Sequence, residues 1–447
     1  MKNYFGIFTL LFLVGTFACR TKETPPNIVL IMADDMGYEC LGCNGSTEYK
    51  TPNLDRLAET GIRFDNCYSQ PLCTPSRVKI MTGKYNYKNY EDFGYLNPNQ
   101  KTFGNLLKDA GYATCIAGKW QLNGLNRNNP DNQDVNRPHH FGFDEYCLWQ
   151  LNRRRTVDGE RYANALITQN GADLPRDPDM YGPRVFADFV MDFIDRKTDQ
   201  PFFVYYPMVL VHDPFVPTPD SPEWAQPERR YENDTAYFAD MMAYTDKIIG
   251  EIEAKLKEEK IWENTLFIFT ADNGTHRTVL SSTTNGIVKG AKGETINHGN
   301  HVPFILNWPK KMKEQRVEES IISFADVLPT LCDAAGVSPE KFKTDGNSFL
   351  PLVTQKLDKI QDEVVIHYTP RWGNWGKYHN RWVMNGEYKL YRDGRFYNTK
   401  RDVLEKNPLK ELTTVEQKLK EKFQRILDEK EKDVAFELNN KEFKVEY

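Results

Sequence analysis

The run Asn27-Ile28-Val29-Leu30-Ile31-Met32 is apolar without alternation, and two acids, Asp34-Asp35, follow it directly. A strand with one wet face alternates polar and apolar residues, whereas an unbroken run belongs to a strand covered on both faces. Similar runs recur at Phe202-Phe203-Val204-Tyr205-Tyr206, Leu266-Phe267-Ile268-Phe269 and Val302-Pro303-Phe304-Ile305-Leu306. Helical patterns lie between them. Thr51 to Ala58 has an N-cap residue, a proline in its first turn and Gly61 beyond its end. Asp240 to Lys257 repeats Met241, Ile248, Ile249, Ile252 and Leu256 at near-helical spacing. Strands alternating with helices predict an α/β chain: a mostly parallel, doubly wound sheet with helices on both faces.

Open sheets of this kind bind ligands beyond the carboxyl ends of their strands. Three of the runs deliver polar groups there: Asp34-Asp35 after the first, His212 after Phe202–Leu210, and Asp272-Asn273 after Leu266–Thr270. Asp34, Asp35, Asp272 and Asn273 are all oxygen donors. Three carboxylates and an amide suit a hard divalent cation, calcium before magnesium, and not zinc. Cys40-x-x-Cys43 has no second half at matching spacing, so a zinc site is not expected there.

Cys73-Thr74-Pro75-Ser76-Arg77 adds chemistry to that edge. Pro75 suits the first helical position, and Ser76 to Met81 can continue a helix. Residue 73 then sits at a helix N-terminus, where free N–H groups and the positive dipole end favour an anion. The five residues resemble the Cys-x-Pro-Ser-Arg signature of the type I sulfatases, of the alkaline phosphatase superfamily, among them bacterial carbohydrate sulfatases. Thr51-Pro52-Asn53-Leu54-Asp55-Arg56-Leu57 before it and Met81-Thr82-Gly83-Lys84 after it fit the same family. The resemblance continues through Thr265–Gly274 and Lys292–Pro303 to Ala325-Asp326-Val327-Leu328-Pro329-Thr330 and Asp345-Gly346-x-Ser348.

The resemblance implies an alkaline-phosphatase-like fold and a sulfuric ester hydrolase. It implies that Cys73 is oxidised to formylglycine by a formylglycine-generating or anaerobic sulfatase-maturating enzyme, and that one hydroxyl of the aldehyde hydrate attacks sulfur. Ca2+ would be held by Asp34, Asp35, Asp272, Asn273 and an oxygen of the group at position 73. Arg77 would hold the hydrate. Lys119, in Gly118-Lys119-Trp120, would bridge formylglycine and sulfate. Lys292, in Lys292-Gly293-x-Thr295, would be the second sulfate-binding lysine, and His212, in His212-x-Pro214, would protonate the leaving oxygen. The expected substrate is a sulfated glycan. The alternatives are a phosphoester or phosphonate hydrolase of the same superfamily, or a non-enzymatic glycan-binding lipoprotein derived from a sulfatase. Two positions depart from the family pattern. Gln121 stands where the family has a histidine, which leaves His276 as the replacement base to test. Asn297-His298-Gly299-Asn300-His301 stands in place of Glu-Gly-Gly-x-Arg.

The chain has 447 residues and a net charge of −5, with no basic footprint for nucleic acid. Residues 1–19 read as an export signal, with Lys2 before the apolar run Phe5–Ala18. Thr16-Phe17-Ala18-Cys19 resembles a bacterial lipobox, which implies a lipid anchor at Cys19 and a place in the periplasm or outer membrane. Residues 24–355 read as the catalytic domain and 356–447 as a smaller α+β subdomain. In the latter, 364–399 reads as short strands, and Trp372-Gly373-Asn374-Trp375 offers aromatic faces for stacking on sugars. Residues 413–429 read as a helix with a Thr413/Glu416 capping box and an apolar face of Val415, Leu419, Phe423, Ile426 and Leu427. Six cysteines besides Cys19 and Cys73 permit disulfides in an exported protein.

Overall fold

The computed structural model describes residues 24–125, 130–152, 160–371 and 379–440. The signal-like segment with Cys19, and Trp372 to Trp375, lie outside the described residues. Ten strands form one large sheet: β1 (Asn27–Ala33), β2 (Ile62–Tyr68), β3 (Ala113–Lys119), β4 (Glu145–Trp149), β5 (Ile167–Gln169), β6 (Ala172–Asp173), β7 (Phe202–Pro207), β8 (Thr265–Ala271), β11 (Phe304–Asn307) and β12 (Arg316–Ser323). A separate hairpin joins β9 (Leu280–Thr283) to β10 (Gly286–Lys289). The order across the sheet is β12-β2-β11-β8-β1-β7-β3-β4-β5-β6. β1 lies between β7 and β8, parallel to both, with Leu30 opposite Tyr205 and Ile268. All its residues after Asn27 are buried, as its unbroken apolar run requires.

The sheet is mostly parallel. β3 runs parallel to β4 and β7, and β12 parallel to β2. The exceptions are β11, antiparallel to β2 and β8, and the edge strands β5 and β6. An apolar run specifies burial and not direction, so the reversal of β11 has no sequence signal. Two reversals restore direction, so β2 points the same way as β8. The carboxyl ends of β1, β2, β3, β7 and β8 therefore share one edge. Helices cover both faces. Pro52–Thr60, Gly182–Arg196 and Phe238–Glu258 pack together in one layer; Cys73–Thr82, Phe103–Asp109 and Val327–Ala334 form another.

The C-terminal subdomain is a four-stranded antiparallel sheet: β13 (Val364–Tyr368), β14 (Asn380–Met384), β15 (Tyr388–Tyr391) and β16 (Phe396–Asn398). The helix Thr414–Asn440 packs on it through Phe423 and Leu427. Its capping box forms: the Thr413 N–H donates to Glu416 Oε2 at 2.8 Å, and the Glu416 N–H to Thr413 Oγ1 at 3.2 Å. Val415 is a correction. It is 76% exposed, because it lies in the first turn, off the packed stripe. On the other side of the small sheet, Ile366, Tyr368, Trp382 and Tyr391 share an apolar cluster with Tyr68, Leu72 and Cys73. That cluster ties the subdomain to the strand and helix around position 73. The seven described cysteines are all unpaired. Among the described residues no helix is long and apolar enough to cross a membrane.

Candidate active site

Position 73 opens the helix Cys73–Thr82, two residues before Pro75. Pro75 is thus the third helical residue, and its missing N–H is still one that no helix carbonyl would have accepted. Ser76 fastens the approach to this helix: its Oγ accepts from the Gln70 N–H and donates to the Gln70 carbonyl, both at 3.0 Å. Every residue of the helix is buried. Burial raises the Cys73 thiol above its ordinary range, with Lys119 pulling the other way. A thiol so held is a poor thiolate nucleophile. Its Sγ marks the place of whatever oxygen a modified side chain would present.

The strand ends bring the other groups to it. β3 ends at Lys119 after Gly118, which has φ +110°, and a Cβ there would meet the Pro207 carbonyl oxygen at 2.1 Å. Only glycine lets β3 pass the end of β7 this closely. Lys119 Nζ donates to Asp34 Oδ2 at 2.7 Å. Asp35 takes a left-handed φ of 62° and is held there by its N–H on Asp272 Oδ1 at 3.1 Å. Arg77, one turn into the helix, donates to Asp272 Oδ2 at 2.8 Å. Lys292 donates to Asp35 Oδ2 at 2.5 Å and to His212 Nε2 at 2.9 Å. Asn273 Nδ2 donates to Asp35 Oδ1 at 2.8 Å. Eight of the nine expected site residues thus lie in one connected set, joined by Arg77 at 3.7 Å from Asp34, and the ninth, Cys73, opens the helix that carries Arg77 and reaches Gln121 Oε1 with its Sγ at 3.4 Å.

The set has room in its bonding for a cation. Asp34, Asp35 and His212 offer ligand atoms all within 4.8 Å of one another. Asp34 Oδ1 and Asn273 Oδ1 are buried and have no hydrogen-bond partner. Buried oxygens are rarely left so, and a hard cation satisfies both at once. Asp272 reports the same deficit: burial and the charge of Asp34 push its carboxyl up to about 7. The donors present therefore fit a divalent cation, with carboxylate and amide oxygens in the majority. Cys40 Sγ lies 3.2 Å from Thr275 Oγ1, apart from this set.

His212 is neutral in this arrangement. Burial lowers it, and Arg161 and Lys292 lower it further against the pull of Asp35. Nε2 accepts from Lys292, so Nδ1 bears the proton and faces the Asp213 carbonyl at 2.6 Å and its carboxylate at 2.9 Å. His276 lies beside this group, edge-on to Phe215 and 4.0 Å from Asp213 Oδ1, not against position 73. The structure gives it no contact from which it would replace a base facing Gln121. Three residues of the site had no motif to announce them. Asp213 orients His212; the Tyr162 hydroxyl donates to the His212 and Val209 carbonyls; and Arg161 lies buried 4.0 Å from Asp34. Arg161-Tyr162 sits in a polar stretch without periodicity, so only proximity reveals it.

A family model described as Sulfatase matches residues 26–337. A second, described as N-sulphoglucosamine sulphohydrolase, C-terminal, matches residues 295–437. Arylsulfatase A of Homo sapiens is 31% identical over 361 residues, covering 74% of this chain and 68% of that one. Among solved structures, a protein in complex with its substrate D-glucosamine-2-N,6-O-disulfate superposes with a TM-score of 0.72 at 21% identity, over 92% of this chain and 98% of that one. The phosphonate monoester hydrolase of Agrobacterium radiobacter superposes at 0.67 and 19% identity, over 92% and 96%.

Proposed function

Because the chain belongs to the sulfatase family and is a sulfuric ester hydrolase, we propose that it cleaves a sulfate ester on a glycan with a formylglycine made from Cys73 and a calcium ion. The observation that carries this reading is the pair of buried oxygens that accept no hydrogen bond, Asp34 Oδ1 and Asn273 Oδ1, on the residues that share the site with the Cys73 helix. Formylglycine would supply, as its hydrate, the hydroxyl that attacks sulfur and the second hydroxyl that later expels sulfate. Calcium, held by Asp34, Asp35, Asp272 and Asn273 with an oxygen of residue 73, would supply positive charge opposite the sulfuryl oxygens.

The chain's own residues do the rest. Lys119 and Lys292, bonded here to Asp34 and Asp35, would turn to hold sulfuryl oxygens, charge placed where charge develops. Arg77 keeps Asp272 in place and flanks residue 73. His212, once Lys292 leaves its Nε2, takes up a proton from solvent there and gives it to the leaving oxygen. A bound sulfate raises its basicity by offsetting Arg161 and Lys292, and Asp213 holds the Nδ1 proton. Gln121 faces residue 73 and hydrogen-bonds a hydroxyl there without taking its proton. A glycan substrate is supported by the neighbour solved with a sulfated glucosamine and by the C-terminal model match. Export through residues 1–19, a lipid anchor at Cys19 and maturation by a formylglycine-generating or anaerobic sulfatase-maturating enzyme belong to the same reading.

Mass spectrometry of the peptide bearing residue 73, from protein made with a maturation enzyme, tests it. Formylglycine is expected, together with sulfate release that Cys73→Ala abolishes. Unmodified cysteine in a fully active protein would overturn the reading.

A further inference from the structure

Three cations of the site each have their own carboxylate: Arg77 with Asp272, Lys119 with Asp34, Lys292 with Asp35. A fourth does not. Arg161 is only 4% exposed. Its nearest acid is Asp34 at 4.0 Å, already bonded by Lys119 at 2.7 Å. Its Nε and Nη1 are buried with no hydrogen-bond partner among the described residues. Asp213, the other carboxylate nearby, is turned to His212 Nδ1 at 2.9 Å. A buried guanidinium that only shares a distant counter-ion and makes no hydrogen bond through two of its nitrogens is costly to fold around.

The geometry holds it in a defined pose all the same. The guanidinium lies 4.4 Å over the Trp149 ring, and Trp149 stands beside Lys119 in the β3–β4 ladder. Stacking fixes the plane and leaves the edge free, which is how arginine receives a carboxylate or sulfate with two hydrogen bonds. The next residue, Tyr162, is bonded to the His212 carbonyl, so Arg161 is anchored to the histidine side of the pocket. Arg161 therefore stands on the His212 side of the site, where the leaving oxygen takes its proton.

We infer that Arg161 is a specificity residue that takes a second anionic group, a sulfate or carboxylate, carried by the alcohol portion of the substrate. The inference rests on the sulfate-ester reading above and narrows it to polyanionic substrates: the sulfuryl group under attack uses the lysines, and its neighbour on the sugar uses Arg161. A singly charged ester leaves the guanidinium as unpartnered as it stands here.

The test uses small sulfonates, which need no knowledge of the sugar. Affinities of the calcium-loaded full chain for methanesulfonate, ethane-1,2-disulfonate, propane-1,3-disulfonate and sulfoacetate are measured by calorimetry. At least one dianion is expected to bind tenfold or more tighter than methanesulfonate. Within Arg161→Gln the dianions are expected to bind no tighter than methanesulfonate, and Arg161→Lys is expected to restore part of the preference. Should the wild-type chain bind all four alike, or Arg161→Gln keep the preference, the role of Arg161 is overturned. Should none of them bind, the sulfate-ester reading beneath it fails instead.

Discussion

Two buried charge clusters in this molecule have opposite bonding. In the C-terminal subdomain, Lys389 is fully buried and donates to Glu405 Oε1 at 2.8 Å and to the Thr295 carbonyl, with its ammonium against the rings of Trp382 and Tyr391. The Tyr391 hydroxyl completes the group, bonding Glu405 Oε2 and reaching the Thr295 carbonyl at 3.1 Å. Every charged group of this cluster is bonded, and among the described residues only the Trp382 indole N–H is left over. At the edge of the large sheet, four cations and three aspartates are brought together with Asp34 Oδ1, Asn273 Oδ1, Arg77 Nε and two nitrogens of Arg161 making no hydrogen bond among the described residues. A filled cluster fixes geometry; an unfilled one waits for something the chain does not supply. The two are joined in space. Thr295 follows Lys292 by three residues, and the Tyr368 hydroxyl holds the Gly293 carbonyl at 3.1 Å. The closed cluster thus fastens the loop that delivers Lys292 to the open one.

The sharpest break in this comparison comes from emptying the open cluster further. Asp272→Ala removes one of the three carboxylates and leaves buried Arg77 with Asp34, 3.7 Å away, as its remaining carboxylate. We expect kcat/KM for sulfate release to fall about a thousandfold, the scale of losing one preorganised charge. The rise in Tm that calcium gives the wild-type chain should vanish with it. Full activity without stoichiometric calcium in either protein would remove the metal from the reading.

Damage to the closed cluster should be felt in stability first. Lys389→Met strands Glu405, and breaking a buried pair by removing one partner costs about 3–5 kcal/mol. Removing Glu405 as well, in Lys389→Met with Glu405→Leu, should recover most of that loss, because no charge is left alone. Below the lowered Tm, kcat should stay within threefold and KM rise several-fold through the loosened Lys292 loop. A single variant as stable as wild type would show that the cluster is not what holds the subdomain there.

Much of this contrast was legible in the sequence. The strand-end rule placed Asp34, Asp35, His212 and Asp272 on one edge because parallel neighbours must end together, and the pairing of β1 with β7 and β8 obeys it. What was not legible depends on which atoms remain unbonded, a property no motif encodes. Arg161 and Asp213 belong to that class. Lys389 and Glu405 look like ordinary surface charges in a stretch rich in them, and only the small sheet's packing buries them. Val415 was misplaced for a simpler reason: a helix's first turn often overhangs the surface it packs on, whatever its periodicity.

The open cluster should also bind its metal in a pH-dependent way that the closed one cannot imitate. Without metal, burial and Asp34 hold the Asp272 carboxyl up at about 7. A folded-state value raised above the unfolded one means that the proton stabilises the empty site. That stabilisation is full below the unfolded carboxyl range and is lost as pH rises through about 7. Calcium has to displace this proton, so its affinity should rise up to about tenfold per pH unit between pH 5 and 7 and level off above. Calcium titration of the Tm at pH 5.5, 6.5 and 7.5 measures it; equal affinity at all three would show Asp272 already ionised.

The smallest effect expected is at Gln121, where the open cluster meets the nucleophile. Its amide oxygen faces residue 73 at 3.4 Å, and its backbone takes a left-handed φ of 53°, so the side chain is committed to that position. An amide can orient a hydroxyl but cannot remove its proton. If the second hydroxyl at residue 73 must lose a proton before sulfate leaves, that step lacks its usual base, and His276, turned toward Asp213 and Phe215, does not stand in for it. Release of the alcohol should then run ahead of release of sulfate: a first turnover of alcohol equal to the enzyme, followed by a slower steady rate. Gln121→His should raise the steady rate a few-fold and shrink the burst, since it restores a group that accepts the proton. A linear release of alcohol from the first turnover, unchanged in Gln121→His, would mean that expulsion of sulfate is not limiting and that water or a neighbouring carboxylate already takes the proton.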